Sequence, residues 1–303
     1  NKGGAYRKWY GNLEYVIKFD KTNYNILLQQ GNHLPSREFY FRECITWTDM
    51  SAKGVAFRYE PIGSVFDGCA ATAFADKTSL LYMLGLLNSK YVEILSRVLN
   101  PTLHFKLGDY SKIPLIMGDN NECEIIMSIV KKNIAKSKTD WDSYETSWDF
   151  KYHPLVNYVN IDTDKPVTVE DAYKYWKSEC EQRFSQLKAN EEELNRIFID
   201  IYGLQDELTP EVLERDVTVH RVFDSKEDVP EPMKGSAYIR TKRDEIVSLL
   251  SYAIGCMFGR YSLDIEGLAY AGGEWDESKY DNFKPDDDNI IPITDEEYLE
   301  DDI

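Results

Sequence analysis

The stretch from Tyr82 to Pro114 constrains the fold more than any other part of the chain. Its apolar residues recur near a period of 3.6, which predicts a helix over residues 79–99. The pair Asn100-Pro101 ends that helix, because proline disfavours the helical conformation for the residue before it. A short polar and aromatic run then leads to a strand-like segment at residues 112–116. This order of elements predicts a scaffold that presents a loop to a partner.

Length and composition favour a globular protein of two domains. The chain has 303 residues, 43% of them hydrophobic and 13% aromatic, enough to bury sizeable cores. No run of about 18 apolar residues occurs, so we expect no membrane span and no membrane partner. The five cysteines are scattered without a CxxC pair, which is typical of reduced thiols and predicts a cytoplasmic location. The first residue is not Met, which indicates a fragment of a longer protein.

The net charge of −18 is unevenly distributed along the chain. Residues 1–118 hold 14 Lys and Arg against 10 Asp and Glu, whereas residues 151–303 hold 17 against 36. The first part could therefore face phosphate groups, while the last part is a solvated, acidic body. The asymmetry permits DNA binding by the first part without demonstrating it.

The periodicities predict an α+β fold, with strands first and helices later. Four segments have the β-branched and aromatic content of strands: residues 14–19, 39–47, 54–59 and 63–66. Three helices follow the one at 79–99, at residues 122–136, 168–203 and 243–261. The helix at 168–203 is the longest, beginning with a capping-box-like Thr168 and Asp171 and ending at Gly203.

Several chemistries have no signature in this chain. It contains no GxxxxGK[ST] phosphate loop, no GxGxxG after a strand and no GxSxG nucleophile elbow. The four histidines have neither HxxxH spacing nor a cysteine pair nearby, so we expect no metal site. We therefore predict a segment that is not catalytic by itself.

Two segments carry positive signals for recognition. Residues 2–12, KGGAYRKWYGN, combine glycines that allow close backbone approach with basic and aromatic side chains that suit phosphates and bases. An edge hairpin with ordinary surface charge is the alternative. Residues 102–112 carry His104, Lys106 and Lys112 beside two aromatic residues. A loop that merely packs is the alternative there.

Six long motifs together resemble one family. They are KGGAYRKWYGN, YFRECITWTDMSAKGVAFRYEPIGSVFDGCAATAF, LYMLGLLNSKYVEILSRVLNPTLHFKLGDYSKIPLI, DWDSYETSWDFKYHPL, NEEELNRIFIDIYGLQDELTPEV and LLSYAIGCMFGRYSLDIEGLAYAGG. The chain is similar to the C-terminal half of PglX-type adenine-specific DNA methyltransferases of BREX phage-exclusion systems. Type IIG restriction-modification enzymes share parts of the pattern.

The resemblance implies that separate parts of a longer protein bind the cofactor and recognise the DNA target. The family's N-terminal half carries the S-adenosylmethionine site and an Asn-Pro-Pro-Tyr catalytic motif. Here Asn100-Pro101 continues as Thr102-Leu103, so we expect no cofactor in this segment. Residues 1–138 would be a mixed, β-rich DNA target-recognition domain, and residues 139–303 a helical, acidic region with one long helix. The parent enzyme would flip an adenine out of duplex DNA and methylate it.

The resemblance and the residue types together yield candidates for DNA contact. Base-reading candidates are Arg7, Asn12, Arg37, Arg42, Arg58, His104 and Lys106, and phosphate-binding candidates are Lys2, Lys8, Lys53 and Lys112. Arg42 and Arg58 lie inside strand patterns, where a structural ion pair is the alternative.

The expected partners are double-stranded DNA and the N-terminal methyltransferase half of the same polypeptide. A second hypothesis is a protein-interaction scaffold, whose acidic half docks other BREX subunits or a phage inhibitor. Both hypotheses are compatible in one polypeptide.

Overall fold

A computed structural model of the chain describes residues 1–30, 34–158 and 167–286. The chain divides into two compact units. The first comprises Asn1–Trp148 and Lys177–Thr241, and the second comprises Asp149–Trp176 and Lys242–Ile303, described as far as residue 286. The predicted functional division at residue 138 stays a prediction, because these units describe packing and not function.

Five short strands and seven α-helices make up most of the regular structure of the described residues. The strands are β1 Cys44–Thr48, β2 Phe57–Glu60, β3 Ala70–Ala73, β4 Arg221–Phe223 and β5 Ile239–Thr241. The helices are α1 Lys21–Gln29, α2 Lys77–Leu87, α3 Lys90–Leu99, α4 Leu107–Tyr110, α5 Asn120–Asp142, α6 Val169–Tyr202 and α7 Lys242–Met257. The predicted α+β class and the long helix are thus confirmed.

The first unit is organised around a three-stranded antiparallel sheet of order β2-β1-β3. Thr46 on β1 lies opposite Arg58 on β2 and Thr72 on β3. Both faces of β1 are covered, and Trp47 and Phe57, which lie opposite each other, belong to the same hydrophobic core. The strands predicted at residues 39–47 and 54–59 are present in shortened form, whereas the strand predicted at residues 63–66 is absent and β3 follows instead.

The N-terminal segment adds to this sheet at the edge formed by β2. The backbone N–H of Trp9 donates to the carbonyl of Phe57 at 2.9 Å, and the N–H of Tyr59 donates to the carbonyl of Trp9 at 2.8 Å. The indole of Trp9 is fully buried. The segment is therefore part of the core and not an exposed hairpin.

Helix α2 packs closely against α5 at Gly85. A methyl group on Gly85 would lie 3.0 Å from Val130 Cγ2 and 3.1 Å from Ile126 Cγ2, both on α5. Such contacts are tighter than ordinary van der Waals distances, so only glycine fits without a shift. Phe198 of α6 completes this part of the core.

The helix predicted at residues 79–99 is two helices, α2 and α3. The break lies at Asn88 and Ser89, and it has a tertiary cause. The side chain of Asn88 accepts a hydrogen bond from Phe57 N at 3.1 Å and donates to Phe57 O at 2.9 Å, completing the hydrogen bonds of β2. Ser89 then caps α3 by accepting from the N–H of Val92. The predicted end at Asn100 is confirmed.

The strand-like segment predicted at residues 112–116 forms no strand: Lys112 and Ile113 lie in a turn, and residues 114–116 belong to no sheet. Two tyrosine hydroxyls hold it instead. Tyr202 donates to Pro114 O at 2.7 Å and accepts from Ile116 N at 3.0 Å, while Tyr82 donates to Ile116 O at 2.9 Å. Residues 14–19, also predicted as a strand, run without strand partners among the described residues, and most of their side chains are exposed.

Helix α6 begins in the second unit and continues through the first. Thr168 accepts a hydrogen bond from the N–H of Asp171 at 3.1 Å, which confirms the predicted start. Gly203 adopts a left-handed backbone with φ of 65°, which confirms the predicted end. At 1.5 Å per residue the helix is about 50 Å long.

The second unit has its own small aromatic core around α7. Phe150, Tyr252, Cys256 and Tyr261 form it, and the rings of Tyr252 and Tyr261 stack with centroids 5.1 Å apart. Helix α7 is shorter than predicted, because the chain turns at Gly259, where φ is 73°. Of the helices within the described ranges, none has the length and apolarity needed to cross a bilayer.

Candidate nucleic-acid interface

The basic residues of the N-terminal segment point into the protein. Arg7 is only 3% exposed, and its guanidinium donates to Asp140 Oδ2 at 2.7 Å and to the carbonyl of Tyr10 at 2.8 Å. The rings of Trp141 and Tyr238 lie 5.1 and 5.4 Å from its central carbon. Burial argues against a direct contact of Arg7 with DNA.

Gly11 makes room for the Arg7 side chain. A methyl group at this position would lie 2.6 Å from Arg7 Nε, and the backbone φ of 121° also disfavours any side chain. The sequence predicts that the glycines of this segment allow close approach to the backbone. Gly11 does so, but the group that approaches it is the buried side chain of Arg7.

Asp140 is the centre of a buried charge cluster. Besides Arg7, it contacts Arg183 at 3.8 Å and His220 Nδ1 at 3.1 Å, and it accepts from the backbone N–H of His220 at 2.8 Å. Burial by itself would raise the pKa of the Asp140 carboxyl, but His220, Arg7 and Arg183 together hold that pKa well below its usual range. The cluster therefore keeps an ionised carboxylate inside the protein.

Lys8 belongs to a second buried pair. Its ammonium lies 3.1 Å from Glu191 Oε2, and the other oxygen of that carboxylate accepts from the Trp9 indole at 2.6 Å. Burial opposes the charged form of Lys8, yet Glu191 raises the pKa of the ammonium above its ordinary value. Glu191 on α6 thus holds two consecutive residues of the N-terminal segment.

Arg58 and Asn12 are also internal. Arg58 is 1% exposed, and it donates to the carbonyl of Arg7 and to Thr48 Oγ1, both at 3.4 Å. Burial lowers the pKa of Arg58 to about 10, although Glu60 opposes that shift. Asn12 donates its amide to the carbonyl of Ala5 at 2.9 Å. Arg58 is therefore structural, although these two hydrogen bonds join it to a carbonyl and a hydroxyl and not to the carboxylate of the predicted ion pair.

The remaining seven candidates are exposed. Three of them, Lys2, Arg37 and Arg42, lie on the part of the unit that precedes β1. Lys2 Nζ is 4.9 Å from the centroid of the Tyr15 ring, and the guanidinium of Arg42 is 5.5 Å from that of Phe39. Within the described ranges, no hydrogen bond, ion pair or ring contact joins these three to the other four.

The other four candidates lie on two connections that pair with each other. We call residues 49–53, which carry Lys53, and residues 102–112, which carry His104, Lys106 and Lys112, the loop pair. The N–H of Ser51 donates to Leu103 O at 2.9 Å, and the N–H of Phe105 donates to the carbonyl of Asp49 at 2.7 Å. These antiparallel bonds continue the pairing beyond the C-terminal end of β1.

A buried ring and a hydrogen-bonded carboxylate hold the loop pair in place. Phe105 is 5% exposed, and its carbonyl accepts from the Trp47 indole at 2.8 Å. Asp109 accepts from the Asn100 amide at 2.8 Å and from the N–H of Lys106 at 3.1 Å, and these hydrogen bonds lower the pKa of its carboxyl. The loop is therefore fixed while its basic side chains stay exposed.

The loop pair borders a shallow pocket of about 50 Å³. His104 and Asp49 line it together with Arg97 and Asn100. Met50, Leu103 and Leu107 are exposed on the same connections. Cationic and apolar groups side by side suit both nucleic acid and protein surfaces.

Asp49 is a residue that the sequence did not single out. Its Oδ2 lies 3.1 Å from Nδ1 of His104, 55 positions later in the chain. No spacing rule joins residues so far apart, so only the pairing of the two connections reveals the contact. The described part of the chain holds no cluster of three or more potential metal ligands.

Comparison with known proteins finds relatives that are named adenine-specific methyltransferases. No family model matches the sequence. Two relatives match all of it. The chain is 42% identical over 310 residues to the adenine-specific methyltransferase PglX of Lacticaseibacillus casei (strain Zhang), of which the match covers 24%. It is 33% identical over 312 residues to the adenine-specific methyltransferase BrxX of Escherichia coli O9:H4 (strain HS), of which the match covers 25%.

The chain thus spans about a quarter of the length of these relatives. Over its whole length the chain is similar to part of these two adenine-specific methyltransferases, which confirms the resemblance carried by its motifs.

Proposed function

We propose that this chain is the sequence-specific DNA recognition part of an adenine-specific, S-adenosylmethionine-dependent DNA methyltransferase of a phage-defence or restriction-modification system. The observation that carries the proposal is the loop pair, which holds His104 and Lys106 exposed on an anchored backbone. Both relatives are named adenine-specific methyltransferases. The Asn-Pro-Pro-Tyr motif is absent from this chain, so another part of the polypeptide would bind the cofactor and transfer the methyl group.

The distribution of exposed charge decides where DNA could bind. Of the 14 cations in residues 1–118, Arg7, Lys8 and Arg58 are buried, and Glu60 is buried among the acids. Eleven cations then oppose nine acids, a nearly even balance. General attraction to DNA is therefore weak, and affinity depends on local contacts such as those of the loop pair.

A salt series of duplex binding tests the proposal in the whole protein. We propose that Lys106, a base-reading candidate in the sequence, contacts a phosphate together with Lys53 and Lys112. Their share of the slope of log affinity against log salt is then about −2.7, because each phosphate contact contributes about −0.9. Lys106→Ala should make the slope less negative by about 0.9. Lys132→Ala, which removes an exposed lysine of α5, is the matched control and should leave the slope unchanged. Equal slopes for both variants would remove the loop pair from the DNA contact.

An exposed apolar groove supports a second candidate function, docking of another part of the polypeptide. A cavity of about 520 Å³ is lined by Tyr15, Val16, Ile17, Phe41 and Phe66, among others. Tyr15 is 64% and Val16 69% exposed, which is unusual for apolar residues in one extended segment. About three quarters of the relatives' length lies outside the match. The proposed occupant of the groove is the methyltransferase part of the same polypeptide.

Hydrogen exchange tests the docking candidate. The backbone amides of residues 14–18 should exchange slowly in a whole PglX-type protein and rapidly in this chain alone, because docking would cover them. The amides of β1, which are paired in the sheet, should be protected in both and serve as the control. Rapid exchange of residues 14–18 in both proteins would contradict the docking candidate and leave the DNA proposal intact.

A further inference from the structure

The backbone of His104 is anchored, and a contact with Asp49 orients its exposed imidazole. Its backbone pairs with Met50 in an antiparallel bridge, its neighbour Phe105 is buried, and its Nδ1 lies 3.1 Å from Asp49 Oδ2. The side chain of His104 is nevertheless 47% exposed, whereas that of Asp49 is 25% exposed. A side chain that is both fixed and exposed is suited to recognition.

The carboxylate of Asp49 determines which ring nitrogen of His104 carries the proton. An ionised carboxylate only accepts hydrogen bonds, so a contact at this distance places a proton on Nδ1. In the neutral imidazole the other nitrogen, Nε2, is then an acceptor. No hydrogen-bond partner of Nε2 is found within residues 1–30, 34–158 and 167–286. The contact with Asp49 therefore selects one tautomer of His104, in which Nε2 is a hydrogen-bond acceptor.

Resting on the function proposed above, we propose that Asp49 positions His104 so that Nε2 accepts a hydrogen bond from an exocyclic amino group in the major groove. On the strand that the ring faces, this acceptor selects adenine N6 or cytosine N4 against the O6 of guanine and the O4 of thymine, which are themselves acceptors. His104 is then a specificity-determining residue, and Asp49 is a positioning residue that does not touch DNA.

The residues around Asp49 and His104 support the proposed reading of a base by His104. Lys106 is exposed two residues further along the loop and can contact a phosphate while His104 reads a base edge. The carbonyl of Asp49 accepts from the N–H of Phe105 through the backbone. Replacing the Asp49 side chain consequently leaves the backbone pairing of the two connections in place.

Two measurements test the inference. The first is ¹⁵N NMR of histidine-labelled chain without DNA, which reports the tautomer directly. His104 should carry its proton on Nδ1, and in Asp49→Ala this preference should be lost. A wild-type ring protonated on Nε2 would overturn the inference without touching the DNA proposal.

The second measurement is selection of bound duplexes from a library randomised over the binding site, with the whole methyltransferase. The wild type should favour adenine or cytosine at one position. His104→Ala and Asp49→Ala should both reduce that preference about threefold to tenfold, the range expected for one hydrogen bond, and leave other positions unchanged. Lys106→Ala should weaken binding to all sequences alike.

The outcomes distinguish a failure of the His104 inference from a failure of the proposed recognition function. If Lys106→Ala weakens binding while His104→Ala and Asp49→Ala leave the selected sequences unchanged, the His104 inference fails and the recognition function stands. The His104 inference also fails if the position affected by His104→Ala favours guanine or thymine. If no duplex is selected and no variant of the loop pair alters binding, the recognition function itself fails.

Discussion

The guanidinium of Arg7 lies 2.7 Å from the carboxylate of Asp140, and the two side chains are 4% and 0% exposed. The residues are 133 positions apart, so this ion pair ties the N-terminal segment to the end of α5. Lys8 and Glu191 do the same for α6. The basic and aromatic segment at residues 2–12 is a candidate for DNA contact in the sequence. In the structure its buried ion pairs join it to α5 and α6 inside the first unit.

We expect Arg7→Ala to destabilise the protein by about 3–5 kcal/mol, because it leaves the Asp140 carboxylate buried without its closest cation. Urea unfolding followed by circular dichroism measures the change. Arg37→Ala removes an exposed arginine and should change stability by less than about 0.5 kcal/mol. Similar stability losses in both variants would refute the role assigned to Arg7. Loss of DNA binding in Arg7→Ala would accordingly report misfolding and not a lost contact.

The Asp140 cluster predicts a specific acid sensitivity. The pKa of Asp140 in the folded state is below its unfolded value of about 3.9, so the ionised carboxylate stabilises the fold above that pH. This contribution is lost as the pH falls through the unfolded pKa toward the folded one. Between about pH 5 and about pH 2 the wild type should lose more free energy of unfolding than Asp140→Asn. Parallel pH profiles of the two proteins would contradict the depressed pKa.

The packing of α2 on α5 predicts that Gly85→Ala is destabilising. The added methyl would lie 3.0 Å from Val130 Cγ2, and overpacking of this kind costs about 1–3 kcal/mol. Gly108→Ala is the matched control, because Gly108 is also helical and nothing lies within 4 Å of its added methyl. The control should be neutral or slightly stabilising, because alanine favours the helix. Thermal unfolding of both variants decides the matter, and a harmless Gly85→Ala would show that the helices can separate.

The two tyrosines that hold residues 112–116 predict local changes in amide exchange. Tyr202→Phe removes the acceptor of the Ile116 N–H, and Tyr82→Phe removes the acceptor of the Gly118 N–H at 3.0 Å. Each variant should accelerate exchange of its own amide and cost about 0.5–1.5 kcal/mol per hydrogen bond. Hydrogen-exchange NMR resolves the two sites. Exchange that speeds up equally at both amides in either variant would mean that the segment detaches as a whole.

Much of the helical architecture could be predicted from local patterns. Helix α6 begins with the hydroxyl–carboxylate pair of Thr168 and Asp171 and ends at Gly203, as capping rules require. Asn100 ends α3, because Pro101 follows it. Caps, stops and apolar periods act within a few residues, so the sequence contains all that is needed to recognise them.

The position of the buried Asp140 becomes clear only in the structure, because α5 extends to Asp142 and the helix predicted from the sequence ended at residue 136. The buried positions of α5 recur at three- and four-residue steps from Ile126 to Asp140, which places Asp140 on the internal face. A buried carboxylate requires a cation beside it. Periodicity alone could not identify that cation as Arg7, because the choice depends on which segments the fold brings together.

The sequence by itself determined the class of the fold, the long helix, the family resemblance and the position of the loop at residues 102–112. The tertiary structure alone decided which cations of the recognition candidates are exposed. It divided the predicted helix at Asn88, because that side chain completes the hydrogen bonds of a strand 31 residues earlier. It also joined Asp49 to His104. Burial and long-range hydrogen bonds depend on residues far apart in the chain, and no local pattern records them.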